Sequence, residues 1–356
     1  MTQTTLALPA VTIGIDVGDK KSHFHCLDES GGTVEVGRLP TNPSSFRRKF
    51  EALPACRIAF EAGSQSRWIE RLLRELGHEV LVANPRKVRS IFESDRKSDD
   101  LDAEQLARLA RVDPRLLRPV QQRSRQAQRD RAVLVARDAL VRARARLVNC
   151  CRGMLKSEGL SVASCSTPAF ARKVRDAVPE ALRPALGPLL DEVDQLSAHI
   201  RAYDRHIEAL CEQRYPVTKI LRQVGGIGPI TALAFVVTLE DPRRFSNSRK
   251  AGVFVGLTPR RDQSGDCDPE LPITKAGDPM LRRLLVQSAH YLLGRFGKDC
   301  DLQRFGQRLA QRGGKNAKKR AIVAVARKLA VLLHALWKTG AVYEPLRHHP
   351  ALPSTA

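Results

Sequence analysis

The sequence predicts a mixed α/β layer at its front, a helical coiled-coil middle and a mainly α-helical last third. Three observations predict this division. Short β-rich runs alternate with amphipathic helical runs over roughly the first hundred residues. Apolar residues then recur at alternating spacings of three and four, the seam pattern of packed helices. A glycine-rich turn, "GGIG", opens the final helical stretch. The chain has 356 residues, enough for two or three domains and a substantial core.

Each element follows in order. "VTIGIDVG" (11–18) reads as a buried strand ending in a glycine turn. "KSHFHCLD" (21–28) and "TVEVGRL" (33–39) are the next two strands, separated by "ESGG". "NPSSFRRKFEAL" (42–53) begins as a helix, and "CRIAFEAG" (56–63) is a strand. "SRWIERLLREL" (66–76) is an amphipathic helix, and "HEVLVANP" (78–85) a further strand. The order βββαβαβ, followed by helices, calls for a layered α+β or α/β domain. His23 to Cys26, "HFHC", carries metal-ligand residue types. Its strand pattern and the lack of a partner pair at ligand spacing make a half-buried strand the better reading. The eight cysteines contain no C-x-x-C pair. They support neither zinc nor a disulfide framework and fit a reducing cytoplasm.

Two seams mark the middle. Val133, Ala136, Leu140, Ala143, Leu147, Cys150 and Met154 form one; Leu189, Val193, Leu196, Ile200, Tyr203, Ile207 and Leu210 form the other. Two helices of a bundle, a hairpin arm and a dimerising coiled coil all satisfy them. The expected domains are 1–115, a helical arm over 116–215, a C-terminal domain over 216–345 and a disordered tail over 346–356.

Charge points to the partner. Lys and Arg number 60 against 38 Asp and Glu, a formal net charge of +22. A folded chain this basic meets a polyanion. No stretch is apolar enough to span a bilayer, and the N-terminus lacks the basic start and cleavage site of a signal peptide. Nucleic acid is therefore the expected partner and the cytoplasm, at the nucleoid, the expected location. Ten arginines and two aspartates lie between Arg115 and Arg146, an imbalance that favours phosphate contact. A second basic surface, centred on "RGGKNAKKR", has nine Lys or Arg and no acid between Arg304 and Lys328.

The acids within apolar runs are the candidate chemistry. In "KSDDLDAEQLARL" (97–109), a helix rotating 100° per residue puts Asp99 and Asp102 on the side of Ala103, Leu106, Leu109 and Ala110. Asp100 falls on the polar side with Glu104, Arg108 and Arg111. Helix capping by Ser98 or Asp99 is the competing account. Asp16 ends the strand "TIGIDVG" and Glu61 ends "RIAFEAG". Ligands collect at the C-terminal edges of strands in α/β sheets. Four carboxylates there could hold two Mg²⁺ ions for phosphoryl displacement.

These three stretches resemble the motifs of the DEDD transposases of bacterial insertion sequences. "GIDVGDKKSHFHCLD", "FEAGSQSRWIERLL" and "KSDDLDAEQLARL" carry the likeness. It implies an RNase H-like (RuvC-like) first domain with the family acids on Asp16, Glu61, Asp99 and Asp102. It leaves Asp100 out.

The last third extends the resemblance. "LRQVGGIGPITA" (221–232) fits a helix-hairpin-helix element, in which Gly226 and Gly228 allow a tight turn. The N–H groups at the following helix start could bind a DNA phosphate; a plain glycine turn between helices fits equally. "GGIGPITALAFVVTLEDPRRFSNSRKAGVFVGLTPRRDQSGD" and "ITKAGDPMLRRLLVQSA" resemble the C-terminal domain of the same enzymes. That resemblance places a nucleophilic serine on Ser264 of "RRDQSGD", with Arg260, Arg261 and Lys275 as nearby cations for developing charge. Ser246 and Ser248 are the runners-up, in a helix-start pattern with Ser248 as cap. The resemblance further implies cutting and rejoining of DNA strands through a covalent phosphoserine. It implies Mg²⁺, with Mn²⁺ as a substitute ion. Its implied partners are donor and target DNA, a structured noncoding guide RNA, and further copies of the chain in a dimer or tetramer. The alternative is a RuvC-like, structure-specific endonuclease that uses the same acids and water as nucleophile.

Overall fold

The computed structural model describes residues 11–88, 98–265, 267–269 and 271–347. The N-terminal segment read for a signal peptide, Lys97, Asp266 and the tail from 348 onward lie outside them. The chain divides between Arg123 and Ser124 into two compact units.

The first unit is a five-stranded sheet with helices. Its strands are β1 (Thr12–Val17), β2 (Lys21–Leu27), β3 (Thr33–Pro40), β4 (Arg57–Glu61) and β5 (Glu79–Ala83). Its helices are α1 (Pro43–Phe50), α2 (Ser66–Glu75), the single turn α3 (Pro85–Val88) and α4 (Asp99–Val112). The sheet order is β3-β2-β1-β4-β5. β2 runs antiparallel to β1 and β3, whereas β1, β4 and β5 are parallel. β1 and β4 are central, so their runs "TIGI" and "RIAF" are buried on both faces. One face packs Ile13, Ile15, Ile58 and Phe60 against Phe46, Phe50, Ile69 and Leu73 of α1 and α2. The other packs Ala59 and Ala83 against Leu106, Leu109 and Ala110 of α4. Asn42 starts α1 by accepting from the Ser45 N–H at 2.9 Å. "HFHC" lies within β2, and all eight cysteines are free thiols. Burial pushes the Cys26 thiol up to about 11 and the Cys56 thiol up to about 12, so both remain protonated and inert.

The second unit is helical: α5 (Arg125–Ser157), α6 (Phe170–Val174), α7 (Arg183–Gln213), α8 (Thr218–Leu221), α9 (Pro229–Leu239), α10 (Arg249–Phe254), α11 (Pro279–Leu293), α12 (Asp301–Gln311) and α13 (Ala317–Thr339). The two long helices pair within the chain. Arg137 bonds Asp204 and Arg144 bonds Ser197, so the residue numbers rise on one helix as they fall on the other. α5 and α7 are thus an antiparallel hairpin. The near ends, at Leu134, Ile207 and Leu210, share one core with Phe235, Leu285 and Leu329. The far ends close over their own core of Val148, Cys151, Leu155, Phe170, Leu186 and Leu190.

The α7 seam follows the sequence pattern: Val193, Leu196, Ile200, Ile207 and Leu210 are buried. The α5 seam is shifted by one residue. Leu134, Val148, Cys151 and Leu155 are inside, while Cys150 and Met154 face solvent. Polar residues caused the misreading, since the true row runs through Asp130, Arg137 and Arg144. Asp130 is only 4% exposed and accepts from Gln126, Arg214 and the Tyr215 hydroxyl. Part of the arginine excess is therefore internal wiring rather than phosphate-facing charge. Arg131 reaches Asp278 at 2.6 Å, Arg137 meets Asp204, and Arg144 lies 8% exposed in the seam.

Candidate active site

Strand alternation places the first two carboxylates. Side chains i and i+2 share a face. Ile13 and Ile15, with Ile58 and Phe60, occupy the α1/α2 face. Gly14 and Asp16, with Arg57, Ala59 and Glu61, therefore face α4. Ile15 pairs with Phe60 in the parallel ladder, so Asp16 and Glu61 stand one step beyond it on adjacent strands. This is the C-terminal edge.

Helix α4 runs against β1. Arg57, the ladder partner of Thr12, donates to the Ala110 carbonyl at 3.1 Å. Further along β1, Gly14 lies directly under α4: an added Cβ would stand 2.0 Å from the Ala103 oxygen and 2.4 Å from the Ala107 nitrogen. Only glycine admits the helix at this height. At the far end, His23, the antiparallel partner of Asp16, receives the start of the helix. Its Nδ1 lies 2.7 Å from Asp100 Oδ1 and its Nε2 3.7 Å from Asp99 Oδ2. The first turn of α4, with Asp99 and Asp102, thus lies at the strand ends that carry Asp16 and Glu61.

Two details differ from the helical wheel. Asp99 is expected on the core side, but its side chain is 65% exposed. α4 buries its side chains against the sheet only from Ala103 onward, one turn later. Asp100 is on the solvent side as expected, yet it is tied to His23. Capping also operates here, because Ser98 Oγ accepts from the Leu101 N–H at 3.3 Å. His23 was missed as a site neighbour. Its signal was the hairpin register that sets it opposite Asp16. Among the described residues no three His, Cys, Asp or Glu side chains gather closely enough to share one ion. As a donor set, four carboxylates are hard oxygen ligands and fit a divalent cation of the Mg²⁺ or Mn²⁺ type, not zinc.

In the second unit, Ser264 is exposed near the tip of a hairpin loop between α10 and α11. Its N–H donates to the Cys267 carbonyl at 3.1 Å and Cys267 N–H returns the bond at 3.0 Å, with Gly265 in the left-handed region. The loop's foot is rigid. A Cβ on Gly277 would lie 2.0 Å from the Phe254 oxygen, and one on Gly256 2.2 Å from the Ala276 oxygen. Arg282, unremarked in the sequence, donates to the Val255 and Ala276 carbonyls and clamps the two sides together. Asp278 caps α11 through Met280 N–H and Leu281 N–H while holding Arg131 of α5. Lys275 is exposed at φ 53°. Arg261 is 72% exposed and bonds Gln263 at 2.7 Å.

Arg260 and Arg261 also line a groove of about 1430 Å³ beside this loop. Leu257, Ile273, Phe305, Val323 and Leu332 contribute apolar surface to it. Among the described residues eight cations line it against three acids: Arg249, Arg260, Arg261, Lys319, Arg320, Arg327, Lys328 and Arg347 against Asp268, Asp301 and Glu344. That excess suits a phosphate backbone.

Ser246 is exposed. Ser248 occupies the cap position of α10, but its hydroxyl does not cap the helix. It lies 2.9 Å from Nδ1 of the fully buried His334, whose Nε2 lies 2.9 Å from the Pro242 carbonyl. The carbonyl only accepts, so Nε2 carries the proton and Ser248 donates to Nδ1. Burial lowers the imidazole's pKa. The glycine turn has Gly226 at φ 77° and Gly228 as the residue before α9, with Leu221, Val224 and Ala232 buried beneath.

Comparison with known proteins matches both units. Residues 13–158 match a transposase family model, the DEDD transposase domain of the IS110 type. Residues 218–305 match the transposase IS116/IS110/IS902 family. A probable family 20 transposase of Pseudomonas aeruginosa is 32% identical, covering 94% of this chain and 98% of its own length. The transposase for insertion sequence element IS1328 of Yersinia enterocolitica is 30% identical over 81% of this chain and 86% of its own. That for IS1111A of Coxiella burnetii is 27% identical over 91% and 88%. With acids at one sheet edge, a serine loop beside a cationic groove, and likeness along nearly its whole length to insertion-sequence transposases, the chain belongs to the IS110/IS116 family of DNA transposases.

Proposed function

We propose that this transposase cuts and rejoins DNA through a covalent phosphoserine on Ser264, with a divalent metal held by Asp16, Glu61, Asp99 and Asp102. The observation that carries the reading is the antiparallel docking of α4 on β1, which sets the helix's first acids at the edge where Asp16 and Glu61 end their strands. The unit is read as RNase H-like (RuvC-like); its mixed sheet with acids at that edge supports this. Bound there, Mg²⁺ or Mn²⁺ supplies charge stabilisation to a phosphodiester in displacement.

The chain's own residues do the rest. Ser264 Oγ attacks phosphorus and gives up its proton to solvent; the Oγ–P bond forms and one ester P–O bond breaks. The departing strand end takes up a proton and leaves as a hydroxyl. In the rejoining step a hydroxyl of a second strand attacks the phosphoserine and releases Ser264, so the number of ester bonds is conserved. Arg260, Arg261 and Lys275 orient the phosphate and offset its charge. Gly226 and Gly228 leave backbone N–H groups of the turn before α9 open to a backbone phosphate, Pro229 at the helix start having none. Donor and target DNA run along the groove between this loop and α13.

A structured noncoding RNA of the element selects the DNA by pairing, and the chain works in the cytoplasm, at the nucleoid, as a homo-oligomer. The cationic excess supports a polyanion partner. Among the described residues no helix is long and apolar enough to cross a membrane. The test is a strand-transfer assay on the element's ends with Mg²⁺ and the element's transcript. Product that needs both additions supports the reading. Product formed equally after ribonuclease treatment sinks RNA guidance, and product formed equally in chelator sinks the metal site.

A further inference from the structure

We infer that Tyr291 and Phe296 form a stacking platform for an unpaired base of bound DNA, beside the glycine turn that precedes α9. Tyr291 is 46% and Phe296 62% exposed. Their rings lie near-parallel and offset, with centroids 6.4 Å apart and planes 18° from parallel. Two aromatic rings left together in water are an apolar patch that calls for a cover.

The neighbours of the patch select its occupant. The Arg295 guanidinium lies 4.6 Å from the Phe296 ring centroid and Lys298 is exposed nearby in the chain, while the neighbouring Asp299 is paired with Arg304 at 2.6 Å. This is a cationic rim rather than an apolar one, which disfavours a second apolar protein face. The turn is contiguous with it: a Cβ on Gly226 would lie 3.0 Å from the Tyr291 ring and 3.1 Å from the Ser288 oxygen. Gly225 and Gly228 are exposed at the same turn. Pro229, the first residue of α9, has no N–H, so the backbone N–H groups of the exposed Gly225 and Gly228 offer the phosphate seat, and the rings offer π faces beside the turn. Rings interleaved with positive charge are what a single strand requires, because its base faces are free and its backbone is anionic. A duplex keeps its base faces covered. The occupant is therefore a strand opened during exchange.

The DNA partner rests on the proposed function; the platform depends on neither Ser264 nor the carboxylates. The test reads binding without metal, in the full chain carrying Ser264→Ala, so failure of the chemistry and failure of the platform are separate results. A short thymidine single strand should bind Phe296→Leu about tenfold more weakly than the parent. Phe296→Trp should bind at least as well as the parent. Duplex affinity should not change, and neither should thermal unfolding, since Phe296 is exposed. A fully abasic strand should not distinguish Phe296→Leu from the parent. Unchanged single-strand binding by Phe296→Leu overturns the platform, as does an equal loss for abasic or duplex DNA. A larger loss for the uridine RNA of the same length overturns the assignment to DNA.

Discussion

The acids of the first unit and the serine of the second are held in opposite ways. Asp16 and Glu61 belong to central strands, and their facing is fixed by ladder register and by buried neighbours on both sides. A slip of one residue in either strand would turn that strand's acid to the wrong face. Ser264 has no such support. It is exposed, its own turn is closed by two backbone bonds to Cys267, and all the order is in the loop's foot at Gly256, Gly277 and Arg282. One site is positioned by the sheet, the other by an anchor several residues away. The difference suits the proposed roles: carboxylates holding a cation need fixed oxygens, whereas a serine attacking a strand and releasing it is served by a short, exposed tip.

That contrast can be broken at either glycine set. The largest effect is expected from Gly14→Ala, which alters no carboxylate. The 2.0 Å approach to the Ala103 oxygen forces α4 off the sheet. Strand cleavage should fall about 10⁴-fold, as far as in Asp102→Asn, while Gly63→Ala, with open space around it, should leave cleavage unchanged. Gel-based cleavage rates check both. Next, Gly277→Ala should destabilise the second unit by about 3 kcal/mol or more, because a Cβ meets the Phe254 oxygen at 2.0 Å in a left-handed backbone. Gly265→Ala has nothing within 4 Å and should cost only about 1 kcal/mol of left-handed strain. Denaturant unfolding separates foot from tip.

A smaller effect concerns Ser248, the serine that is anchored. His334 is held neutral by burial, with a folded pKa below its ordinary 6.5. Below that value the unfolded chain binds a proton that the folded one refuses. The stability of the second unit should therefore be full above pH 6.5 and drain as pH falls below it. His334→Gln should flatten that slope; melting curves across the range show it. The smallest effect belongs to Asp100→Asn. It removes the charge opposite His23 at an exposed pair, and cleavage should change by less than about twofold.

Legibility in the sequence followed the same contrast. The strands were readable to within a residue or two because alternating and fully buried runs are local signals; "VTIGIDVG" became Thr12–Val17. The α7 seam was readable for the same reason. The α5 seam was not, because its inner row is interrupted by Asp130, Arg137 and Arg144, whose partners on α7, at Arg214 and at Tyr215 are far away in sequence. Asp16 and Glu61 announced themselves as acids ending apolar strands. Asp99 misled, since a wheel gives an angle but not the point at which a helix reaches its sheet. Ser264 was visible only through family likeness. Its anchor depends on glycines and on an arginine that contact each other across the loop, and single-chain spacing carries no trace of that.

Mapping the covalent intermediate tests the assignment of Ser264 as nucleophile. The protein is incubated with Mg²⁺, the element's RNA and its DNA ends, denatured, digested with nuclease and protease, and read by mass spectrometry. A nucleotide phosphate is expected on the peptide at Ser264, lost in Ser264→Ala and in Asp102→Ala but kept in Asp100→Asn. A nucleotide found on Ser248, or an adduct that survives Ser264→Ala, would contradict the assignment.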